Sequence, residues 1–171
     1  MYPLVALLLA LAFLPMALEA RLAASHDRAL RSAGAAEPRD DVLPLMQVAY
    51  PAAFFAMAFE AWARRAQPND WLIAGTVVFA LAKAIKYWAI ATLGERWTFR
   101  VLVPPNSTRI TSGPYRFMRH PNYLGVMGEL AGMAVMARAP IAGALSMVIF
   151  GILIAGRIRV EERALAVGNE R

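Results

Sequence analysis

The chain has 171 residues, of which 59% are hydrophobic and only 18% charged, with a net charge of +6. A soluble domain is nearer about half apolar and about a quarter charged, so this composition excludes an ordinary globular protein and points to an integral membrane protein. Cysteine is absent and the two histidines, His26 and His120, stand far apart, which excludes a disulfide framework and a structural zinc site.

Five apolar segments follow in chain order, at residues 2–18, 43–63, 71–93, 123–137 and 141–156. A spanning helix needs about 20 residues. The second and third segments meet that length and the first is borderline. The last two are short and joined only by Arg138-Ala139-Pro140, so they read as a tight helical hairpin. The first segment lacks a basic leader, and Pro15 and Glu19 stand where a signal-peptidase site needs small residues, so it reads as a retained span. Residues 21–41 are polar and read as a mobile loop at most. The sequence therefore predicts an all-α polytopic membrane protein with about five transmembrane helices, organised as a single domain over 1–171.

Cation counts orient these spans. Loop 21–42 carries four arginines, loop 94–122 five and the C-terminal tail four, whereas the opposite side has Arg64, Arg65 and Arg138. The positive-inside rule puts the arginine-rich side in the cytoplasm, with the N-terminus outside and the C-terminus inside. The same rule accounts for the net charge, so no nucleic-acid partner is expected.

Four charged residues fall inside the apolar segments: Glu60, Lys83, Lys86 and Glu129. Lys83 and Lys86 share a helix face at a depth similar to that of Glu129, which predicts that one of them pairs with Glu129 inside the bundle. Glu60 lies near the outer end of its span and is expected to snorkel to water.

Between the third and fourth segments lies SGPYRFMRHPNYLG, residues 112–125. Proline is favoured at a first helical position, and the residue before a proline is pushed out of the α region. A short helical turn over Pro114 to Arg119, a kink at His120 and a helix opening at Pro121 are therefore expected. The first turn of that helix offers unpaired N–H groups to a carboxylate or phosphate, and Tyr115, His120 and Tyr123 add polar rings. Tyrosine and arginine at this position fit an interfacial anchor as well as a ligand site. A second motif, GRIRVEERAL at 156–165, places Arg157 and Glu161 four residues apart on one helix face. Glu161 fits either an ion pair with Arg157 or a contact to hydroxyl or ammonium groups.

Together, GPYRFMRHPNYLG and, about thirty residues later, RIRVEERAL resemble the isoprenylcysteine carboxyl methyltransferase family of membrane enzymes, over roughly residues 93–165. The broader group includes phospholipid N-methyltransferases. The segment GERWTFRVLVPPNSTRITSGPYRF is also similar to bacterial alkylpyrone O-methyltransferases. The resemblance implies a methyltransferase using S-adenosylmethionine, bound at the cytoplasmic side of the inner membrane. Residues 1–93 would supply three N-terminal spans; 94–171 would supply the cofactor-binding loop, the helical hairpin and a C-terminal helix. Tyr115, His120, Pro121, Asn122 and Tyr123 match the family's cofactor-binding stretch, and Ile110 an apolar position beside the adenine. Glu161 matches its acidic cofactor contact, and Arg157 an arginine directed at the methyl acceptor. Ser107 replaces a histidine of the eukaryotic enzymes and Arg100 a glutamine, which weakens the case for a prenylated protein as substrate.

On this resemblance the substrate is a lipophilic molecule entering from the bilayer, with membrane lipids around it. Its carboxylate or acidic enol is already ionised near neutral pH, so no strong base is needed. An amine acceptor, as in a phospholipid N-methyltransferase, would call on His120 or Glu129 instead. A non-enzymatic transporter or scaffold would place the weight on Lys83 and Glu129 rather than on Glu161. No metal is expected in any of these readings.

Overall fold

The computed structural model describes residues 2–38, 41–105 and 109–169, with residues 2 and 165–169 described by backbone alone. Five helices account for most of the chain: α1 (Tyr2–Ser32), α2 (Leu43–Ala63), α3 (Asp70–Leu93), α4 (Pro121–Ala137) and α5 (Pro140–Asn169). Proline stands in the first turn of α2 and at the first position of α4 and α5, where its missing N–H costs nothing. At the start of α3, Asn69 accepts a hydrogen bond from the Trp71 N–H at 3.1 Å. Three helical stretches, Pro3–Ser32, Asp70–Arg96 and Pro140–Ala164, are long and apolar enough to cross a membrane. Helices α2, of 21 residues, and α4, of 17, complete the bundle.

Two boundaries differ from the sequence reading. Residues 21–32 are not loop but the second half of α1, which is 31 residues long. The stretch EARLAASHDRALRS has no proline or glycine and is rich in strong helix formers, so nothing stops the helix before Gly34, at φ +80°. Likewise α5 runs through Gly156 to Asn169, so the fifth span and the C-terminal helix are one element.

Helices α3 and α4 pack closest, along small residues. A Cβ on Gly132 would lie 2.6 Å from the Phe79 backbone nitrogen, and one on Gly75 would lie 2.5 Å from that of Met136. Gly125 and Gly128 meet Lys86 and Ala82 in the same seam, so the small-residue stripe serves packing within the chain. The core gathers Leu8, Phe54, Met57, Leu130 and Met133, all nearly inaccessible.

The bundle has an apolar outside and charge within. Leu14, Val48, Ile73 and Ile152 are each more than 60% exposed, while Glu19, Lys83, Lys86 and Glu129 are buried. Lys83 Nζ lies 2.7 Å from Glu19 Oε1 and 2.8 Å from Glu129 Oε2. Lys86 Nζ lies 2.6 Å from Glu19 Oε2 and 3.1 Å from Glu129 Oε1. The Tyr50 hydroxyl donates to Glu129 Oε2 at 2.7 Å. The expected pairing with Glu129 is present for both lysines, and Glu19 joins it as an unexpected fourth member. Two positive and two negative groups thus neutralise one another and tie α1, α3 and α4 together, with α2 joined through Tyr50.

Glu60 does not snorkel. Its carboxylate accepts the Ile141 and Ala142 N–H groups at 3.4 and 2.6 Å and pairs with Arg64 Nε at 2.7 Å. It therefore caps the start of α5, where free N–H groups and the helix dipole favour an anion.

The last turns of α1, segment 94–105, the start of α4 and the last turns of α5 meet at the other end of the bundle. His26 Nδ1 lies 2.7 Å from the Trp97 carbonyl oxygen, Asp27 accepts the Thr98 hydroxyl, and Ala36 and Val103 exchange backbone hydrogen bonds at 3.0 Å. Arg100 reaches Asp27 at 3.3 Å and Glu37 at 2.7 Å. These contacts hold segment 94–105 against α1, and with it one wall of a cleft.

Candidate active site

The approach to α4 begins with a single turn of 3-10 helix at Gly113–Arg116, shorter than the turn expected over 114–119. Gly113 takes φ +55° and presses on Thr92 of α3, where a Cβ would lie 2.4 Å from the hydroxyl oxygen. Only glycine combines that left-handed backbone with so close an approach. The chain then breaks at His120, with φ −132° and ψ 62°, and α4 opens at Pro121 as the X-Pro geometry requires. The His120 carbonyl receives the Tyr123 N–H at 3.2 Å, so the histidine is fixed at the entrance of the helix.

This kink brings the two sequence motifs into contact. The Tyr123 hydroxyl donates to Glu161 Oε2 at 3.0 Å, and His120 Nδ1 lies 3.6 Å from the same oxygen. On its other edge His120 Nε2 stands 3.5 Å from Glu162 Oε1, which Arg119 approaches at 3.6 Å. The His120 and Tyr123 rings lie 5.7 Å apart at 30°. The Glu161 carboxylate holds the His120 imidazole above its ordinary pKa range, against partial burial that would lower it. The Tyr115 hydroxyl is pushed well above the phenol range, first by burial and then by the charge of Glu161.

Ile110, Tyr115, His120, Asn122, Tyr123, Arg157 and Glu161 line one cleft between segment 94–105, the 110–123 approach and α5. Pro121 is absent from the lining: it is fully buried and serves to start α4. Segment 94–105 adds Trp97 and Arg100 to the wall. Ser107 lies outside the described residues.

Arg157 and Glu161 share a helix face but turn to different partners. Arg157 is 4% exposed, and its guanidinium is bonded to the Asp41 carboxylate and the Phe99 carbonyl and lies beside Tyr123. Two of its five N–H donors are thereby engaged and its orientation is fixed. Sequence reasoning missed Trp97 in the cleft wall and Asp41, which positions Arg157. The other oxygen of Asp41 accepts the Leu43 N–H at 3.1 Å, so it caps α2 while it aims Arg157. The local signal, an aspartate just ahead of a helix start, was readable; its partner 116 residues away was not.

The polar groups lining the cleft could hold a zwitterion carrying a nucleoside. The side-chain oxygen of Asn122 is buried at the cleft with no hydrogen-bond partner, so a ligand ammonium or hydroxyl group would satisfy it. Glu161 offers a second acceptor, His120 a polar ring edge, and Tyr115 with Ile110 a flat apolar surface. Metal-binding groups of three or more His, Cys, Asp or Glu are absent among the described residues.

Over 159 residues the chain is 28% identical to the uncharacterized protein YpbQ of Bacillus subtilis, covering 93% of this chain and 95% of the relative. An uncharacterized protein of Haemophilus influenzae is also 28% identical, over 94% of this chain and 92% of its own. Protein-S-isoprenylcysteine O-methyltransferase A of Arabidopsis thaliana is 30% identical over 90 residues, 52% of this chain and 46% of the plant protein. No solved structure matches at a significant level. Residues 73–167, which include both walls of the cleft and the helices that carry them, match the pattern of the isoprenylcysteine carboxyl methyltransferase family, and the chain belongs to that family.

Proposed function

We propose that the chain transfers a methyl group from S-adenosylmethionine to an ionised oxygen, a carboxylate or acidic enol, of a lipophilic acceptor. Its family is one of membrane methyltransferases that use this donor. The observation that carries the reading is the meeting of His120 and Tyr123 with Glu161 in a cleft that also contains the fixed guanidinium of Arg157. Bound S-adenosylmethionine supplies an electrophilic methyl group on a sulfonium sulfur. Glu161 and Asn122 would hold its hydroxyl or ammonium groups, His120 its carboxylate, and Tyr115 with Ile110 its base.

The protein's own task is alignment and exclusion of water. Arg157, aimed by Asp41 and the Phe99 carbonyl, holds the acceptor anion by charge-assisted hydrogen bonds. An acceptor that arrives ionised needs no base, and Glu161 raises the pKa of His120, which favours the imidazolium and suits it to bind an anion rather than to take a proton. The apolar exterior of the bundle lets a lipid tail remain in the bilayer while its polar end reaches the cleft. We place this end of the bundle at the cytoplasmic face of a bacterial inner membrane, where the soluble donor is available and the arginines are most numerous. The O-methyltransferase name of the plant relative agrees with an oxygen acceptor.

The test is to reconstitute the purified chain in nanodiscs with isotopically labelled methyl donor and a bacterial lipid extract. A labelled methyl ester or enol ether by mass spectrometry is expected. Label on nitrogen, or none in any lipid, would contradict the proposal.

A further inference from the structure

The opposite end of the bundle holds a second cleft, lined by Arg64, Arg65, Gln67, Trp71 and Arg138, with Ala134 and Val135 as its apolar floor. It forms where the α2–α3 and α4–α5 connections come together. Both connections end their first helix the same way. Arg65 N–H bonds to the Trp62 carbonyl and Ala66 N–H to Ala61; Arg138 N–H bonds to the Val135 carbonyl and Ala139 N–H to Ala134. This double pattern is the Schellman motif, whose left-handed position is the usual place for glycine. Here the position holds arginine both times, with φ +52° at Arg65 and +51° at Arg138. They are the non-glycine residues with positive φ among those described. An arginine there strains the backbone where a glycine would not, and both side chains line the same cleft.

Charge in the cleft is only partly compensated. Glu60 is committed to Arg64 Nε and to the α5 N–H groups, and no ion pair joins Arg65 or Arg138 among the described residues. Arg64 still presents its two terminal nitrogens. Three planar forks beside an exposed tryptophan, at the end of an apolar bundle, match a phosphate ester in chemistry and position. We infer that this cleft binds a phosphate-bearing anion, either the headgroup of an anionic phospholipid or a free phosphate compound. The strain at Arg65 and Arg138 then has a reason: those positions direct two guanidinium groups at one ligand. The competing account is that the two arginines only complement the negative ends of α2 and α4.

The full chain in detergent is compared with its Arg65→Gly/Arg138→Gly variant, in which glycine takes the same backbone without strain. Binding of phosphatidylglycerol is read by native mass spectrometry and binding of inorganic phosphate and glycerol phosphate by calorimetry, with phosphatidylcholine as the zwitterionic control. The wild type is expected to hold the anionic lipid or the free phosphates. The variant is expected to lose at least about tenfold in affinity, the scale of a lost charge-assisted contact, with an unchanged or higher melting temperature. Lipid binding alone identifies a headgroup site; phosphate binding in the absence of lipid binding identifies a soluble ligand. Arg28→Ala, at the other end of the bundle, should leave both unchanged. A wild type that binds none of the anions overturns the inference, as does a variant that binds them equally well. Unchanged binding with a lowered melting temperature would assign both arginines to the helix ends alone.

Discussion

Glu161 engages two partners through one oxygen, and its neighbours determine how the site responds to pH. The folded protein raises the pKa of His120 above the ordinary 6.5, chiefly through Glu161 and then Glu162, with Arg119 and Tyr123 close by. A raised pKa means that the imidazolium contact stabilises the fold fully below pH 6.5 and is lost as pH rises through the folded-state value. The difference in melting temperature between wild type and His120→Gln should therefore be largest at mildly acidic pH and shrink in alkaline buffer. A gap that widens with pH would show that the histidine is held neutral. Asp41→Asn supplies a second test. It should retain cofactor affinity while turnover falls by about tenfold or more, because a small misplacement of an aligned group is costly. Equal loss of binding and turnover would instead put Asp41, through Arg157, in the cofactor shell. Much of the cleft lining could be read from two short motifs, since His120, Asn122 and Tyr123 sit within four residues and Glu161 lies four residues from Arg157. Asp41 could not be read, because its role depends on a fold that brings positions 41 and 157 together. The same limit left the partner of Arg157 open: helical spacing offered Glu161 as one possibility, and the structure shows a tertiary contact with Asp41.

Among the elements, the α3–α4 seam is the most exacting. A Cβ at Gly132 would lie 2.6 Å and 2.8 Å from the Phe79 N and Cα, atoms of a helix backbone that cannot step aside. Gly132→Ala should cost about 1–3 kcal/mol, as overpacking does, and lower the melting temperature in detergent. An unchanged melting temperature would mean that α3 and α4 can slide apart. The charged quartet is the other fastener between elements. Glu19→Gln leaves two lysines facing one carboxylate and should cost roughly 3–5 kcal/mol. Adding Lys83→Met to that variant should recover part of the loss, and strict additivity of the two would show that no coupling exists. The positions of these helices were evident from apolar runs, but their lengths were not. Hydropathy marks where lipid can be faced. The amphipathic stretch 19–32 is helical by propensity while too polar to register as a span, so α1 reads short. Glu19 lies at that hidden junction, which is why it could be taken for a boundary residue rather than for the centre of an ion network.

The molecule as a whole places its two clefts at its two ends. Between them lie α3, the α4–α5 hairpin and the quartet, which together fix the distance and register of both ends. Motifs 112–125 and 156–165 meet at one end because α4 and α5 are antiparallel and joined by two residues. The start of one helix therefore faces the finish of the next. That geometry makes the enzyme assignment testable without knowing the acceptor. The most direct measurement is calorimetric binding of S-adenosylmethionine to the purified full chain, alongside Glu161→Gln and His120→Ala variants shown to be folded by their melting curves. The account predicts saturable binding to the wild type and a loss of about tenfold or more in each variant, the scale of one charge-assisted hydrogen bond. Undiminished affinity in both variants would contradict it.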